Sequence, residues 1–151
     1  MSSQPANDLT YYTYGTPNGL KPGIVLEELG LKYKVEKIDI TKNTQKEDWF
    51  LAINPNGRIP ALKDGDQRIF ETGAIMLYLT DNYDKEHKLN YSYGSSEYYE
   101  VMSWLMWQMG GLGPMQVCTY VSELYHTACL TTAGPSQPFP SNGWCILRVW
   151  H

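Results

Sequence analysis

The sequence predicts an α/β domain with the element order βαβαββα, followed by the first helix of an incomplete all-α domain. Two observations carry this prediction. Strand-like and helix-like hydrophobic patterns alternate up to Tyr83, and a separate helical stripe begins at Ser96 after a polar segment. The first two strands are joined by a helix and should run parallel, while the last two form a hairpin. We expect one four-stranded mixed sheet with helices on both faces.

The first βαβ unit is predicted from the pattern that begins at Leu9. Leu9–Tyr14, with the sequence LTYYTY, has the aromatic and β-branched residues typical of a strand. A helix with Gly30 just after its end follows, and Tyr33–Ile40 alternates apolar and polar residues as a second strand does. The helix is predicted from the spacing of Leu20, Ile24, Val25 and Leu29.

The remaining elements follow from shorter signals. The segment TQKEDWFLAINP predicts a short amphipathic helix that ends before Pro55. Ala61–Asp64 and Arg68–Phe70 flank the turn sequence GDQ and predict a β-hairpin. Glu71–Tyr83 is predicted as a helix, and one of its faces consists of Ile75, Met76 and Leu79.

A second helical stripe lies beyond a polar linker. Trp104 and Trp107 widen this stripe, which has the spacing of a core-facing helix. One such helix cannot bury its own apolar face, so it requires partner helices. The stripe consists of Val101, Met102, Leu105, Met106 and Met109.

Composition excludes several classes of function. A net charge of -4 and a pI near 5.3 argue against nucleic acid as a partner, because phosphate binding requires a basic surface. No apolar run is long enough to span a bilayer, so we expect no membrane partner and a cytoplasmic protein. The three cysteines are odd in number and lack short ligand spacing, so we predict no metal site.

One proline stands where a strand is about to begin. Pro60 precedes the predicted strand in Asn54–Leu62, NPNGRIPAL, and cannot donate a ladder hydrogen bond. From these residues alone, a trans proline at a strand start is the simplest interpretation.

Four segments, in this order, resemble the glutathione transferase family: TPNGLK, NPNGRIPAL, ETGAIMLYL and WLMWQMGGLGPM. The resemblance covers Leu9 to Gln116 and is strongest to the group related to the fungal nitrogen regulator Ure2p and its bacterial counterparts. It implies a thioredoxin-like N-terminal domain followed by a bundle of helices.

The resemblance also implies a glutathione site. The Ile59–Pro60 bond is expected to be cis, so that the backbone N–H and C=O of Ile59 can pair with the peptide-like ligand. Thr72 is expected to bind the γ-glutamyl carboxylate at a helix N-terminus, and Glu71 the ammonium group. Gln45 matches a position that contacts the glycyl end of glutathione. A helix N-terminal cap by Thr72 is the structural alternative, and the two roles are compatible.

The chemistry should use the thiol of the ligand. Thr16–Gly19 opens the first helix without the Cys-x-x-Cys of a thioredoxin, so no protein dithiol is available there. The resemblance assigns catalysis to Asn18 and Thr16, whose donors stabilise the thiolate. Many relatives use a Tyr or Ser near the first strand, and Tyr11, Tyr12 and Tyr14 are the candidates for that role here.

The tail, residues 117–151, has neither the helical nor the strand period of apolar residues and contains all three cysteines. Its possible codons are compatible with intron signals at Val117–Cys118, Leu130–Thr131 and Ala133–Gly134, so we expect a retained intron or out-of-frame sequence that is poorly ordered. A short isoform with a disordered tail is the alternative. The predicted division is 7–84 for the glutathione-binding domain, 85–95 for a linker, 96–116 for the start of the helical domain and 117–151 for the tail.

These features predict a protein that conjugates glutathione to small electrophiles or reduces glutathione mixed disulfides. Glutathione is the co-substrate, no other cofactor is expected, and the full-length form is expected to be a homodimer. The alternatives are a non-catalytic interaction domain, as the regulator of this group implies, and an inactive truncated product.

Overall fold

The computed structural model describes residues 8–119, of which 8–105 belong to one compact unit and 106–119 to a second. Two 3₁₀ turns, Ile40–Lys42 and Thr44–Lys46, lie between β2 and α2. The strands are β1 Leu9–Thr13, β2 Lys34–Lys37, β3 Ala61–Asp64 and β4 Gln67–Phe70, and the α-helices are α1 Pro17–Glu28, α2 Asp48–Leu51, α3 Thr72–Tyr83 and α4 Ser96–Trp107.

The four strands form one mixed sheet in the order β2-β1-β3-β4, which confirms the predicted architecture. β1 runs parallel to β2 and antiparallel to β3, and β3 forms a hairpin with β4. Because side chains alternate across a strand, Tyr11 and Tyr12 belong to opposite faces of β1. Tyr11 packs in the cluster formed with α1 and α3, whereas Tyr12 packs against Phe50 of α2.

Helix α1 begins and ends with well-defined caps. The Thr16 side chain caps the first turn, and Pro17 stands where no N–H is needed. At the other end Gly30 has a φ of +63°, as its predicted place after the helix requires. The N–H groups of Gly30 and Leu31 bond to the carbonyls of Glu27 and Leu26, which completes a Schellman motif.

The predicted apolar stripe of α1 was partly wrong. Val25 is buried against the sheet, but Leu20 and Ile24 are each 60% exposed. Pro22 and Leu26 are the other side chains that α1 buries. Helix α1 therefore buries Pro22, Val25 and Leu26, whereas the sequence spacing favoured a side that includes Leu20 and Ile24.

Two predicted elements differ in length or type. β2 stops at Lys37, because the Asp39 side chain accepts from the Thr41 N–H and starts a 3₁₀ turn. The predicted helix over TQKEDWFLAINP is wrong for most of its length. Asn43 is left-handed and Glu47 is extended, so the segment divides into a 3₁₀ turn and the four-residue α2.

The polar segment after α3 is held by Asp84. This carboxylate is 5% exposed and accepts hydrogen bonds from the backbone N–H groups of Lys88, Leu89 and Asn90 at 2.7–3.1 Å. The Asn90 side chain also donates to the Thr80 hydroxyl at 3.1 Å. The start of the predicted linker is thus ordered by contacts with the end of α3.

Helix α4 begins at Ser96, as predicted, and buries Tyr98 in its first turn. A π-helical turn, Gln108–Leu112, follows α4, and helical backbone continues over 113–119. The predicted tail lies outside the described residues from 120 onward. Within 8–119 no helix combines the length and the apolar character that crossing a membrane requires.

Candidate functional site

Helices α1 and α3 begin close together, beside the end of the sheet where β1 ends and β3 begins. The Thr72 hydroxyl, at the start of α3, donates to the backbone carbonyl of Asn18 at 3.2 Å. That carbonyl is available because Pro22, four residues later in α1, has no N–H to offer it. Pro22 therefore makes possible the hydrogen bond that joins the two helix starts.

The first turn of α1 directs donors outward. The Thr16 hydroxyl oxygen accepts from Gly19 N–H at 3.1 Å, and the Thr16 N–H is taken by the Tyr14 carbonyl at 2.7 Å. The hydroxyl proton is then the remaining donor of Thr16. The backbone N–H of Asn18 has no hydrogen-bond partner among the described residues. The first turn of α1 therefore retains two donors, the Thr16 hydroxyl and the Asn18 backbone N–H.

Gly19 is required for this geometry. A Cβ atom on Gly19 would lie 2.4 Å from Thr13 Oγ1 and 2.5 Å from the Tyr14 carbonyl oxygen, which is inside van der Waals contact. The Gly19 carbonyl also accepts the Tyr11 hydroxyl at 2.5 Å. The glycine of TPNG thus lets the start of α1 pack directly on β1.

The three candidate tyrosines in and just after β1 each make a contact within the fold. Burial raises the pKa of Tyr11 to about 12, and its hydroxyl donates inward to Gly19. Burial also raises the pKa of Tyr12, whose ring packs edge-on against Phe50 at 6.0 Å. The ring of Tyr14 lies 5.5 Å from the Lys37 ammonium.

The NPNG segment forms a tight loop ahead of β3. Asn54 is 1% exposed, donates to the Arg58 carbonyl at 2.6 Å and accepts from the Asn56 N–H at 3.0 Å. Gly57 has a φ of +61°, and a Cβ there would meet Leu51 at 2.9 Å. Asn54 is therefore the side chain that shapes this loop. Sequence reasoning missed its role, although an Asn before a turn is a recognisable Asx signal.

The Ile59–Pro60 bond that follows this loop is cis, as predicted. Ile59 lies before the first residue of β3 and outside both of its ladders. Within residues 8–119 no backbone hydrogen bond involves its N–H or C=O. An unpaired donor and acceptor on one residue can bind another extended chain in the way that an added strand does.

Glu71 and Thr72 form the start of α3. Glu71 is the N-cap residue with a φ of +75°, and its carboxylate accepts from the Asn56 side chain at 3.3 Å. The alternative role of Thr72 as the cap is wrong, because Thr72 is the first helical residue and its hydroxyl donates to Asn18. The N–H groups of Thr72 and Gly73 have no partner among the described residues, so this end of α3 favours an anion.

Gln45 lies against the same loop, in a 3₁₀ turn rather than in the predicted helix. Its backbone carbonyl oxygen is 3.0 Å from where a Gly57 Cβ would stand. Its side-chain Oε1 is buried and has no hydrogen-bond partner within the described part of the chain. The neighbouring Lys46 ammonium donates to the Asn56 carbonyl at 3.4 Å. Lys46 was not among the predicted residues, because its approach to the loop depends on the tertiary fold.

Hydrogen bonds connect the starts of α1 and α3 with the loop before Ile59, and the surface beside these three segments is called the opening. Asn18 and Thr72 are joined by a direct hydrogen bond, and Glu71 is joined to the loop before Ile59 through Asn56. The backbone carbonyl of Gln45 lies against that loop. Chemically, the opening offers two helix N-termini that favour negative charge and one backbone segment suited to an extended peptide.

Comparison with known proteins finds a matching protein family and similar relatives. Residues 7–81 match the family model for the glutathione S-transferase N-terminal domain. Glutathione S-transferase 2 of Schizosaccharomyces pombe is 41% identical over 108 residues, which are 69% of this chain and 47% of that protein. The disulfide-bond oxidoreductase YfcG of Escherichia coli is 40% identical over 111 residues, 69% of this chain and 50% of that protein.

A solved structure is similar over more of the chain. The glutathione transferase URE2P6 from Phanerochaete chrysosporium, in complex with oxidized glutathione, superposes with a TM-score of 0.70 at 39% identity. The match covers 94% of this chain and 61% of that one. The chain therefore spans about half the length of the two curated relatives and less than two thirds of this solved neighbour.

Proposed function

Because the chain belongs to the glutathione S-transferase family through its N-terminal domain, we propose that it binds glutathione and activates the glutathione thiol at the start of α1. The observation that carries this proposal is the hydrogen bond from Thr72 to the Asn18 carbonyl, which brings two helix N-termini to one opening. Glutathione, a tripeptide with a carboxylate at each end and a thiol in its centre, matches that arrangement of donors.

Each part of glutathione has a counterpart in the opening. The γ-glutamyl carboxylate binds at the unpaired N–H groups of Thr72 and Gly73, and the ammonium group binds the Glu71 carboxylate. The central cysteinyl residue pairs with the backbone of Ile59, which Pro60 leaves outside the ladder. The glycyl end lies toward Gln45, whose buried oxygen lacks a partner in the described structure.

The thiol then lies near the first turn of α1. Thr16 and Asn18 supply hydrogen bonds there, and the helix dipole adds partial positive charge. Both effects are stronger for a thiolate than for a thiol, so both lower the pKa of the bound sulfur. Thiolate is the reactive form, and its stabilisation raises the fraction of glutathione that is ready to attack.

Two reactions use this thiolate. Its sulfur can attack the halogen-bearing carbon of an aryl halide, forming a thioether as the carbon–halogen bond breaks and halide leaves. Alternatively, it can attack the glutathione sulfur of a mixed disulfide, forming glutathione disulfide and releasing the other thiol as thiolate. Similarity to both a glutathione S-transferase and a disulfide-bond oxidoreductase supports testing the two side by side. The same purified chain should therefore be assayed with a general aryl halide and with a low-molecular-weight glutathione disulfide.

Asn18→Ala is the sharpest variant for this proposal. Loss of one hydrogen bond to a charged group costs about 1.5–3 kcal/mol, so turnover should fall by roughly ten- to a hundredfold while glutathione affinity changes less. Calorimetric titration measures the affinity, and initial rates measure the turnover. Unchanged turnover in Asn18→Ala, or a larger loss in Tyr12→Phe or Tyr14→Phe, contradicts the assignment.

A further inference from the structure

Asn18 is held at two oxygen atoms. Its backbone carbonyl accepts the Thr72 hydroxyl at 3.2 Å, and its side-chain Oδ1 accepts the Lys21 ammonium at 3.0 Å. Lys21 is three residues further along α1, where side chains share one face of a helix. The two contacts fix both the position of the Asn18 backbone and the direction of its side chain.

A lysine determines which end of a carboxamide it meets. The Lys21 ammonium has donors and no acceptor, so only the oxygen of the Asn18 amide can face it. The Nδ2 group must then point to the opposite side. Without Lys21, rotation of the amide by half a turn replaces the donor on the ligand side with an acceptor, and an acceptor repels a thiolate.

Lys21 is also suited to this contact by its surroundings. It is half-buried, and burial lowers the pKa of its ammonium group. An ammonium that has lost part of its water gains more from a protein acceptor than a fully solvated one does. Asn18, by contrast, is exposed and has few packing neighbours that could fix its rotamer.

We propose that Lys21 is a positioning residue that holds the Asn18 carboxamide with its Nδ2 group toward the glutathione sulfur. This inference rests on the proposed function, because it concerns the residue that contacts the bound thiolate. Lys21 acts through Asn18 and makes no contact of its own with the sulfur. It follows that removing Lys21 matters only when Asn18 is present.

A double-mutant cycle tests this dependence. The pKa of the bound glutathione thiol is measured from the ultraviolet absorbance of the thiolate in the unaltered chain, Lys21→Met, Asn18→Ala and the double variant. Lys21→Met should raise the thiol pKa and lower turnover by about three- to tenfold, with a smaller change in glutathione affinity. In the Asn18→Ala background, Lys21→Met should cause no further change.

Two further variants separate this role from general charge effects. Lys21→Arg keeps a donor at the same place and should restore most of the turnover. Lys32→Met removes one positive charge at an exposed position and should leave the thiol pKa unchanged.

Equal shifts of the thiol pKa in the presence and absence of Asn18 mean that Lys21 acts by its charge, and they overturn the inference. No shift in Lys21→Met overturns it as well, while the proposed function survives both results. Absence of glutathione binding to the unaltered chain overturns the proposed function and this inference together.

Discussion

The sheet-packed part of the chain and the helical segment that follows it differ in how deeply their apolar side chains are buried. On the sheet side of α1 and α3, Leu26, Ile75 and Leu79 are completely buried. In α4, Trp104 is 62% exposed, Trp107 is 54% exposed and Met106 is 48% exposed. Helices α3 and α4 have similar apolar content, so the difference between them lies in what each one packs against.

The contrast extends to the outer side of α1. Ile24 lines an apolar cavity of about 240 Å³ together with Met76, Leu89, Val101 and Leu105. Elements within 8–105 form the walls of this cavity and leave it unfilled. The sheet thus completes the packing of one side of α1, while its other side retains the exposed apolar side chains of Leu20 and Ile24, which favour association.

The largest expected effect comes from truncating one apolar side chain in each region and comparing the two losses of stability. Leu26→Ala removes a fully buried side chain and should lower the free energy of unfolding by about 2–5 kcal/mol. Met106→Ala removes a half-exposed side chain of α4 and should change it by about 0.5 kcal/mol or less. Urea unfolding followed by circular dichroism measures both. Similar losses of unfolding free energy in the two variants would show that the sheet-packed region and α4 do not differ in packing.

The second prediction locates the end of the well-packed region. Asp84→Asn weakens the bonds from three backbone N–H groups to a carboxylate and should cost about 1.5–3 kcal/mol at neutral pH. Asp66→Asn, at an exposed turn position, is the matched control and should cost little. If both substitutions have the same small effect, the loop after α3 does not contribute to the stability of the α/β region.

The Asp84 contribution has a defined pH dependence. Burial alone raises the pKa of Asp84, but the N–H groups of Leu89, Lys88 and Asn90 outweigh it, so the folded-state pKa lies below 3.8. Stability from a lowered pKa is present above the unfolded value and is lost as pH falls through the folded value. The difference between the unaltered chain and Asp84→Asn should therefore be constant above pH 5 and shrink below about pH 4.

The third prediction concerns two glycines of α1. A Cβ at Gly19 clashes with Thr13 and Tyr14, whereas a Cβ at Gly23 meets only Tyr11 at an ordinary 3.7 Å. Gly19→Ala should destabilise the fold by about 1–3 kcal/mol and weaken glutathione binding. Gly23→Ala should stabilise it by about 0.5–1 kcal/mol through helix propensity. The same sign for both variants would show that the close contact at Gly19 is not what fixes the start of α1.

The elements with strong local signals were the ones that the sequence predicted well. β3 has the predicted bounds, and α3 begins one residue later than predicted. The segment from Thr44 to Pro55 was predicted wrongly because a left-handed Asn43 and an extended Glu47 interrupt a pattern that looks helical in one dimension. Propensity over so short a segment is a weak guide when single residues leave the helical region.

The candidate site residues were predicted from motifs, but the contacts that hold them in place were not predicted. Asn18, Ile59 and Thr72 were assigned by resemblance to a family. Lys21 and Asn54 were missed because their roles depend on which atoms they meet in the fold. Pro22 gives the clearest example, since its missing N–H affects the Asn18 carbonyl and through it a hydroxyl on another helix.

We propose that the sheet-packed region, and not α4, carries the glutathione site. Two-dimensional amide NMR of the chain during titration with reduced glutathione tests this proposal. The largest shifts should belong to Asn18, Ile59, Thr72 and Gly73, with signals of 101–109 nearly unchanged. Largest shifts within 101–109, with those four amides unaffected, would contradict it.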